Sequence, residues 1–217
     1  MAERTNLKIC GITNLEDARY ASGAMVDYLG FIFYEKSPRY IEPAQAGAII
    51  NWLEGPKKVG VFVNQPLDEV NSTAKQTGID LVQLHGSESV EYCELIEKPV
   101  MKVIHITEES TTESVIESVN SYADVADYFL FDTKLGDQWG GTGTTFDWSV
   151  LSEASIPKPF FLSGGINVEN LKSAVSTVKP YGIDVSSSLE EEPGLKDFEK
   201  VEAFMDEMRS IWDSEEG

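Results

Sequence analysis

Asn6-Leu7-Lys8-Ile9-Cys10-Gly11-Ile12-Thr13 is the stretch whose reading decides the fold. Its apolar run has the length of a buried strand and stops at a cysteine and a glycine. Asn14-Leu15-Glu16-Asp17 then opens like a capped helix. A strand that feeds straight into a helix is the first half of a parallel α/β unit. Ligands of such proteins bind at the carboxyl ends of the strands, so the thiol of Cys10 stands where chemistry is done.

Outward from this stretch the same alternation continues. The patterning predicts strands at Leu7 to Cys10, Tyr28 to Phe33, Lys58 to Val63, Leu81 to Leu84, Met101 to Ile106, Tyr128 to Asp132, Pro159 to Ser163 and Gly182 to Ser186. Helical patterns lie between them at Leu15 to Gly23, Pro43 to Leu53, Leu67 to Gln76, Glu88 to Ile96, Thr112 to Tyr122, Phe146 to Leu151 and Val168 to Val178. A last one runs from Leu195 to Trp212. Repeating units of about 27 residues match a single-domain (β/α)8 TIM barrel over residues 1–217, with its active site at the carboxyl ends of the strands. A doubly wound open sheet is the alternative. The dinucleotide fingerprint expected of it is absent, since Cys10-Gly11-Ile12-Thr13 lacks the glycine spacing.

Composition narrows the function. A hydrophobic content of 41% over 217 residues supports a substantial core. The net charge of -20, from 17 Lys and Arg against 37 Asp and Glu, argues against nucleic acid or an anionic membrane as partner. It also means that an anionic substrate needs a pocket made locally positive by arginines and helix N-termini. Two cysteines and two histidines make neither a disulfide framework nor a zinc site by spacing, so no metal is expected. With no apolar run near the roughly 18 residues of a membrane span, and no signal-peptide pattern at Met1-Ala2-Glu3-Arg4, a cytoplasmic protein is expected.

Glycines and reactive residues gather in the connections that follow strands. These read Glu35-Lys36-Ser37-Pro38-Arg39-Tyr40, His85-Gly86, Asp132-Thr133 with Gly140-Gly141-Thr142-Gly143, Ser163-Gly164-Gly165 and Ser186-Ser187-Ser188. On a barrel they share one face. Together with Lys8-Ile9-Cys10-Gly11-Ile12, Gly30-Phe31-Ile32-Phe33, Val59-Gly60-Val61-Phe62-Val63, Gln83-Leu84-His85-Gly86 and Asp184-Val185-Ser186-Ser187, they make the chain resemble the phosphoribosylanthranilate isomerase family of tryptophan biosynthesis. The matches run in family order from about residue 7 to about residue 197. One departure is Ser188, where the family pattern has glycine. If that position needs a positive φ, serine costs on the order of 1 kcal/mol.

The resemblance implies an Amadori rearrangement of N-(5-phosphoribosyl)anthranilate to 1-(2-carboxyphenylamino)-1-deoxyribulose 5-phosphate without metal or organic cofactor. Cys10 is then the base and Asp132 the acid. On composition alone Cys10 reads as an inert core thiol and Asp132 as a turn former or cap. Cys93, inside a helical pattern, reads as structural. Arg39 is expected on the anthranilate carboxylate, its planar fork suiting a bidentate contact, against the plainer reading of a surface turn residue. Phosphate is expected at Gly164, Gly165, Ser186 and Ser187, in the last two loops of the barrel. Gly140 to Gly143, with Trp139, read as part of a lid after the sixth strand.

Lys8 has the parity of Cys10 and is expected to pair inside the barrel with Asp184. His85 is expected to border the site, and His105 to be ordinary strand packing. The pair Cys10 and Asp132 poses an energetic problem. Thiolate with carboxylic acid lies near 6 kcal/mol above thiol with carboxylate at ordinary pKa values. Burial is expected to raise the acid, and a nearby cation to lower the thiol.

Other readings are a pentose-phosphate epimerase, for which neither histidine has a partner at metal-ligand spacing, and an indole-glycerol-phosphate synthase, which would want a catalytic lysine and glutamates. A non-catalytic phosphometabolite-binding barrel would keep the phosphate loops and lose the acid or the base, and this chain has both. The expected partner is a phosphorylated small molecule, and the sequence leaves monomer and homodimer open. It also leaves open activity on the related aminoaldose of histidine synthesis.

Overall fold

The computed structural model describes residues 4–133 and 145–216. The strands are β1 (Asn6–Cys10), β2 (Tyr28–Ile32), β3 (Lys57–Phe62), β4 (Leu81–Leu84), β5 (Val100–Ile106), β6 (Tyr128–Thr133), β7 (Phe160–Leu162) and β8 (Gly182–Val185). Between and after them come α1 (Leu15–Gly23), α2 (Pro43–Ile50), α3 (Leu67–Thr77), α4 (Val90–Glu94), α5 (Thr112–Tyr122), α6 (Ser149–Ser152), α7 (Leu171–Val178) and α8 (Phe198–Glu216). The strands pair in parallel in chain order, and β8 returns to β1 with Asp184 opposite Lys8, closing the barrel. The (β/α)8 expectation is met and the open sheet is not.

Parallel strands covered on both faces need apolar residues on both, which explains why these segments read as near-continuous hydrophobic runs. Outward side chains such as Leu7, Ile9, Leu29, Phe31 and Phe129 join the helices in one large core. Inward side chains Tyr28, Val59, Leu81, Met101, Val103, Leu130 and Phe161 fill the barrel interior. Further along the same inward rows come Lys8, Cys10, Gln83, Asp132 and Asp184, all buried. The barrel is therefore apolar toward the amino ends of its strands and polar toward the carboxyl ends.

Local chemistry sets the ends of the helices. The Asn14 side chain accepts a hydrogen bond from Asp17 N at 2.8 Å and caps α1. A capping box of Thr111 and Ser114 opens α5. The predicted start of α7 at Val168 is three residues early, because the Asn167 carboxamide oxygen takes the backbone N–H groups of Glu169 and Asn170 at 2.9 and 3.2 Å and holds a turn there. Helices α2, α4 and α6 are also shorter than or offset from the predicted spans.

The largest departure is at Leu195, predicted as helix. Glu190–Glu192 (β9) and Leu195–Lys196 (β10) form a two-stranded antiparallel ribbon around Pro193-Gly194, with Gly194 at φ +89°. Asp197 then caps α8, its carboxylate accepting from Glu199 N and Lys200 N at 3.0 and 3.2 Å. Among the described residues no helix is long and apolar enough to cross a membrane.

Candidate active site

Cys10 ends β1 on an inward row, and the backbone turns immediately after it at Gly11, with φ +80°. Its neighbour in register on β2 is Gly30. A Cβ on Gly30 would sit 2.7 Å from the Cys10 sulfur, so the absence of a side chain there makes room for the thiol. Two residues earlier on the same face, Lys8 is fully buried, and its ammonium pairs with Asp184 at 2.7 Å, as the shared parity predicts. Asp132, also buried, is the penultimate residue of β6.

The buried Lys8–Asp184 pair acts on both candidate catalytic groups. Burial pushes the Cys10 thiol up, and the largest opposing influence is the positive charge of Lys8; Asp184 pushes it up further and Lys196 pulls it down. Burial also pushes the Asp132 carboxyl up, to about 7, and there the largest neighbouring charge is Asp184, which adds to the rise. A backbone N–H at Thr133 and the Lys8 charge pull Asp132 the other way. The expected rise of the acid is borne out. The expected fall of the thiol is corrected: cations do act on it in the expected sense, but the cost of desolvating a thiolate outweighs them. Since burial raises both groups, it cannot by itself close the gap between them. The ion pair narrows it, because its ammonium is the stronger influence on the sulfur and its carboxylate the stronger on the acid. Burial works against the charge of Lys8 as well, but Asp184 and the Cys10 sulfur together leave its pKa raised.

The loop after β4 is held rigidly. Buried Lys102 donates to Gly86 O and to Glu88 Oε2, both at 2.7 Å, while Glu88 Oε1 accepts from Asn64 N at 2.9 Å and Gly86 N at 3.1 Å. This fixes His85, whose Nε2 lies 3.5 Å from Asp132 Oδ2. The contact is not an ion pair at neutral pH, since burial, His105, Lys8 and Lys102 keep the His85 pKa well below its ordinary value. His105 is not the ordinary strand packing expected of it. It lies opposite Asp132 in the register of β5 and β6, its ring centroid is 5.0 Å from that of His85, and its Nε2 is 2.9 Å from His85 O. The sequence spacing that left both histidines without a partner is overturned by the pairing of the strands that carry them.

Arg39 sits at the same end, with its Cδ over Gly11. Its fork is engaged within the protein: Nε is 2.9 and 3.0 Å from the two Glu190 oxygens, and Nη2 is 2.7 Å from Oε2. Those bonds raise its pKa further. Lys196 donates to Glu190 Oε1 at 2.8 Å and to Cys10 O at 2.7 Å, so the ribbon β9–β10 ties Arg39 to the end of β1. Glu190, Lys196, Glu88 and Lys102 went unnoticed in the sequence. The one signal for the first two was the Pro193-Gly194 turn, which asks for a hairpin rather than a helix.

In the last two loops, Gly164 and Gly165 have φ of +85° and +66°, and a Cβ at Gly164 would clash with Thr133, including its backbone N at 2.7 Å. Ser186 donates its hydroxyl to Cys10 O at 3.0 Å, and Ser187 opens a short 3-10 turn, Ser187–Leu189. Ser188 does not have a positive φ, so the serine carries no left-handed strain there. The Thr133 and Ser188 hydroxyls are buried and make no hydrogen bond among the described residues. Trp139 and Gly140 to Gly143, read as part of a lid, lie outside the described residues.

Acid, thiol, arginine and glycine-rich loops at the carboxyl ends of a closed eight-stranded barrel define a barrel enzyme of the sugar-phosphate isomerase class. Residues 7–207 match the family model of N-(5'-phosphoribosyl)anthranilate (PRA) isomerase, and the chain belongs to that family. It is 45% identical over 212 residues to the N-(5'-phosphoribosyl)anthranilate isomerase of Citrifermentans bemidjiense, covering 95% of this chain and 98% of that protein. With the enzyme of Pelobacter propionicus it shares 42% over 200 residues, 92% of this chain and 93% of the relative. The crystal structure of phosphoribosyl anthranilate isomerase from Thermotoga maritima superposes with a TM-score of 0.84 at 37% identity, covering 95% of this chain and 99% of that one. A phosphoribosyl anthranilate isomerase in complex with reduced 1-(o-carboxyphenylamino)-1-deoxyribulose 5-phosphate superposes at 0.82 with 35% identity, covering 95% and 99%.

Proposed function

We propose that Cys10 is the general base and Asp132 the general acid with which this N-(5'-phosphoribosyl)anthranilate isomerase rearranges an aminoaldose into an aminoketose. The carboxyl group of Asp132 gives its proton to the furanose ring oxygen as the C1–O bond breaks, leaving an iminium at C1. The Cys10 thiolate takes the proton from C2, and the electron pair of that C–H bond moves in to neutralise the iminium as an enolamine. Tautomerisation then yields the ketone.

The single observation that carries the reading is the Lys8–Asp184 ion pair, whose charges reach both groups and favour the protonation states the reaction needs. Arg39, with Nε and Nη2 engaged by Glu190, presents the outer edge of its guanidinium to the anthranilate carboxylate. The phosphate is held at the backbone N–H groups of Gly164, Gly165, Ser186 and Ser187, and the hydroxyls of Thr133 and Ser188 are available to it or to the sugar. His85 lines the acid's side of the sugar. The chemistry needs no metal or organic cofactor. A reducing cytoplasm suits the two free, buried cysteines, and the working unit is a monomer or a homodimer. The second possibility draws on the phosphoribosylanthranilate isomerase of Thermotoga maritima, which is described as dimeric and of which monomers have been generated.

The test is a fluorescence assay of phosphoribosylanthranilate consumption. Cys10→Ala and Asp132→Ala are each expected to lower kcat by roughly 10² or more. A loss of tenfold or less in either variant removes that residue from the mechanism.

A further inference from the structure

We propose that His85, His105 and Asp132 form a binding site for a divalent transition metal of the zinc type, and that occupancy inhibits the isomerase by engaging its acid. The inhibitory half rests on the reading of Asp132 given above; the binding half does not.

The three residues come from consecutive strands of the barrel. His85 directly follows β4, and His105 and Asp132 face each other across β5 and β6. One ligand atom from each lies within 4.8 Å of the other two. The separation of 3.5 Å between His85 Nε2 and Asp132 Oδ2 is near the roughly 3.3 Å expected between two ligands placed about 2.0–2.1 Å from a tetrahedral ion. Two imidazoles and a carboxylate are a donor set that suits zinc and its neighbours in the first transition row. Three protein ligands leave a fourth position for water or a substrate oxygen.

Hydrogen bonding orients the donors. His105 Nε2 lies 2.9 Å from His85 O, and a carbonyl only accepts, so Nε2 carries the hydrogen and Nδ1 keeps its lone pair. An imidazole held through its other nitrogen by a backbone carbonyl is the usual second partner of a metal-bound histidine. For His85 to ligate through Nε2, its Nδ1 must donate. Gln83 stands 3.3 Å away, and its amide oxygen has no hydrogen-bond partner among the described residues. A half-turn of that amide puts the oxygen at Nδ1 with no other movement. The nearby ammonium groups are each offset, Lys8 by Asp184 and Lys102 by Glu88, both at 2.7 Å.

Calorimetric titration of the whole enzyme with zinc chloride, beside the fluorescence assay, tests both halves. One zinc ion is expected to bind, to inhibit in parallel with binding and to be reversed by chelator, while magnesium does neither. His105→Gln, which alters no proposed catalytic or substrate-binding group, is expected to keep basal activity and to need at least about tenfold more zinc for both effects. Cobalt(II) bound to the unaltered enzyme is expected to give the visible bands of a nitrogen and oxygen site with no thiolate-to-metal charge transfer, a readout that does not depend on the variant folding. No binding, equal zinc sensitivity in His105→Gln, or a thiolate charge-transfer band placing the metal on Cys10 would overturn the site. Binding that His105→Gln loses, without inhibition of the unaltered enzyme, would uphold the site and count against Asp132 as the acid.

Discussion

At the residue scale the proposed chemistry turns on two buried acids whose protonated forms are both favoured. With Asp132 at about 7 and Cys10 higher still, the reactive combination of thiolate and carboxylic acid is the minor form of the pair. For such an inverted pair kcat/KM is expected to rise to about pH 7, stay level, and fall only where the thiol ionises, both limbs belonging to the coupled groups. A rising limb near pH 4, read from the same profile, would mean that Asp132 is an ordinary carboxylate. The raised acid also affects stability. The folded state holds the Asp132 proton up to about pH 7 and the unfolded chain only to about 4, so stability falls as pH rises between those values and the whole penalty is present above the folded pKa. Asp132→Asn is therefore expected to stabilise the protein at pH 8 by up to about 4 kcal/mol and hardly at all at pH 4, as thermal melts at the two values would show. Gly30→Ala places a methyl group against the Cys10 sulfur and is expected to cost roughly tenfold or more in kcat, with KM changed less; an unaltered kcat would show that the sulfur's position is unimportant. The buried, strand-end placement of Cys10 and Asp132 was legible in the sequence because each ends an apolar run, where a strand must deliver its last inward side chain, while the roles proposed for them came from the family resemblance. His105 was legible in parity, two residues beyond Val103 on an inward row, but its juxtaposition with Asp132 depends on the register of β5 and β6, which no local pattern encodes.

At the scale of elements, the ribbon β9–β10 does what the sequence assigned to a helix. It carries Glu190 and Lys196 under the end of β1, where one carboxylate serves two cations and one of those cations holds the Cys10 carbonyl. A carboxylate enclosed in this way is costly to remove, since both partners remain. Burial works against the charges of both Glu190 and Lys196; the contacts with Arg39 and Lys196 outweigh it for Glu190, whose pKa is lowered, while for Lys196 burial prevails and lowers its pKa too. Glu190→Gln is expected to destabilise the fold by about 3–5 kcal/mol and to raise KM through a loosened Arg39, measured by denaturant melts and steady-state kinetics. A variant as stable as the parent, with the same KM, would reduce the ribbon to decoration. The helix starts that the sequence misplaced have the same origin: Asn167 and Asp197 hold turns through side-chain oxygens, and such local bonds compete with helix in a way that apolar periodicity does not register.

At the scale of the whole molecule, closure of the barrel was legible because eight strand-and-helix units recur in order, and parallel strands between covering helices have few other ways to bury both faces. Closure is what brings β1 beside β8 and gathers the ends of all eight strands on one face. The net charge of -20 surrounds that face with a field that repels an anionic substrate. Raising ionic strength from about 0.01 M to about 0.15 M is accordingly expected to increase kcat/KM, and a steep decrease would mean that local cations dominate the approach. The arrangement of thiol and acid about one sugar is tested most directly by a crystal structure of this chain with reduced 1-(o-carboxyphenylamino)-1-deoxyribulose 5-phosphate bound. The Cys10 sulfur is expected within about 3.5 Å of C2, with the Asp132 carboxyl group at hydrogen-bond distance from the oxygen on C4 and the phosphate on the loops of Gly164 and Ser186. A ligand whose C2 lies far from the sulfur, or whose C4 oxygen is beyond the reach of Asp132, would contradict it.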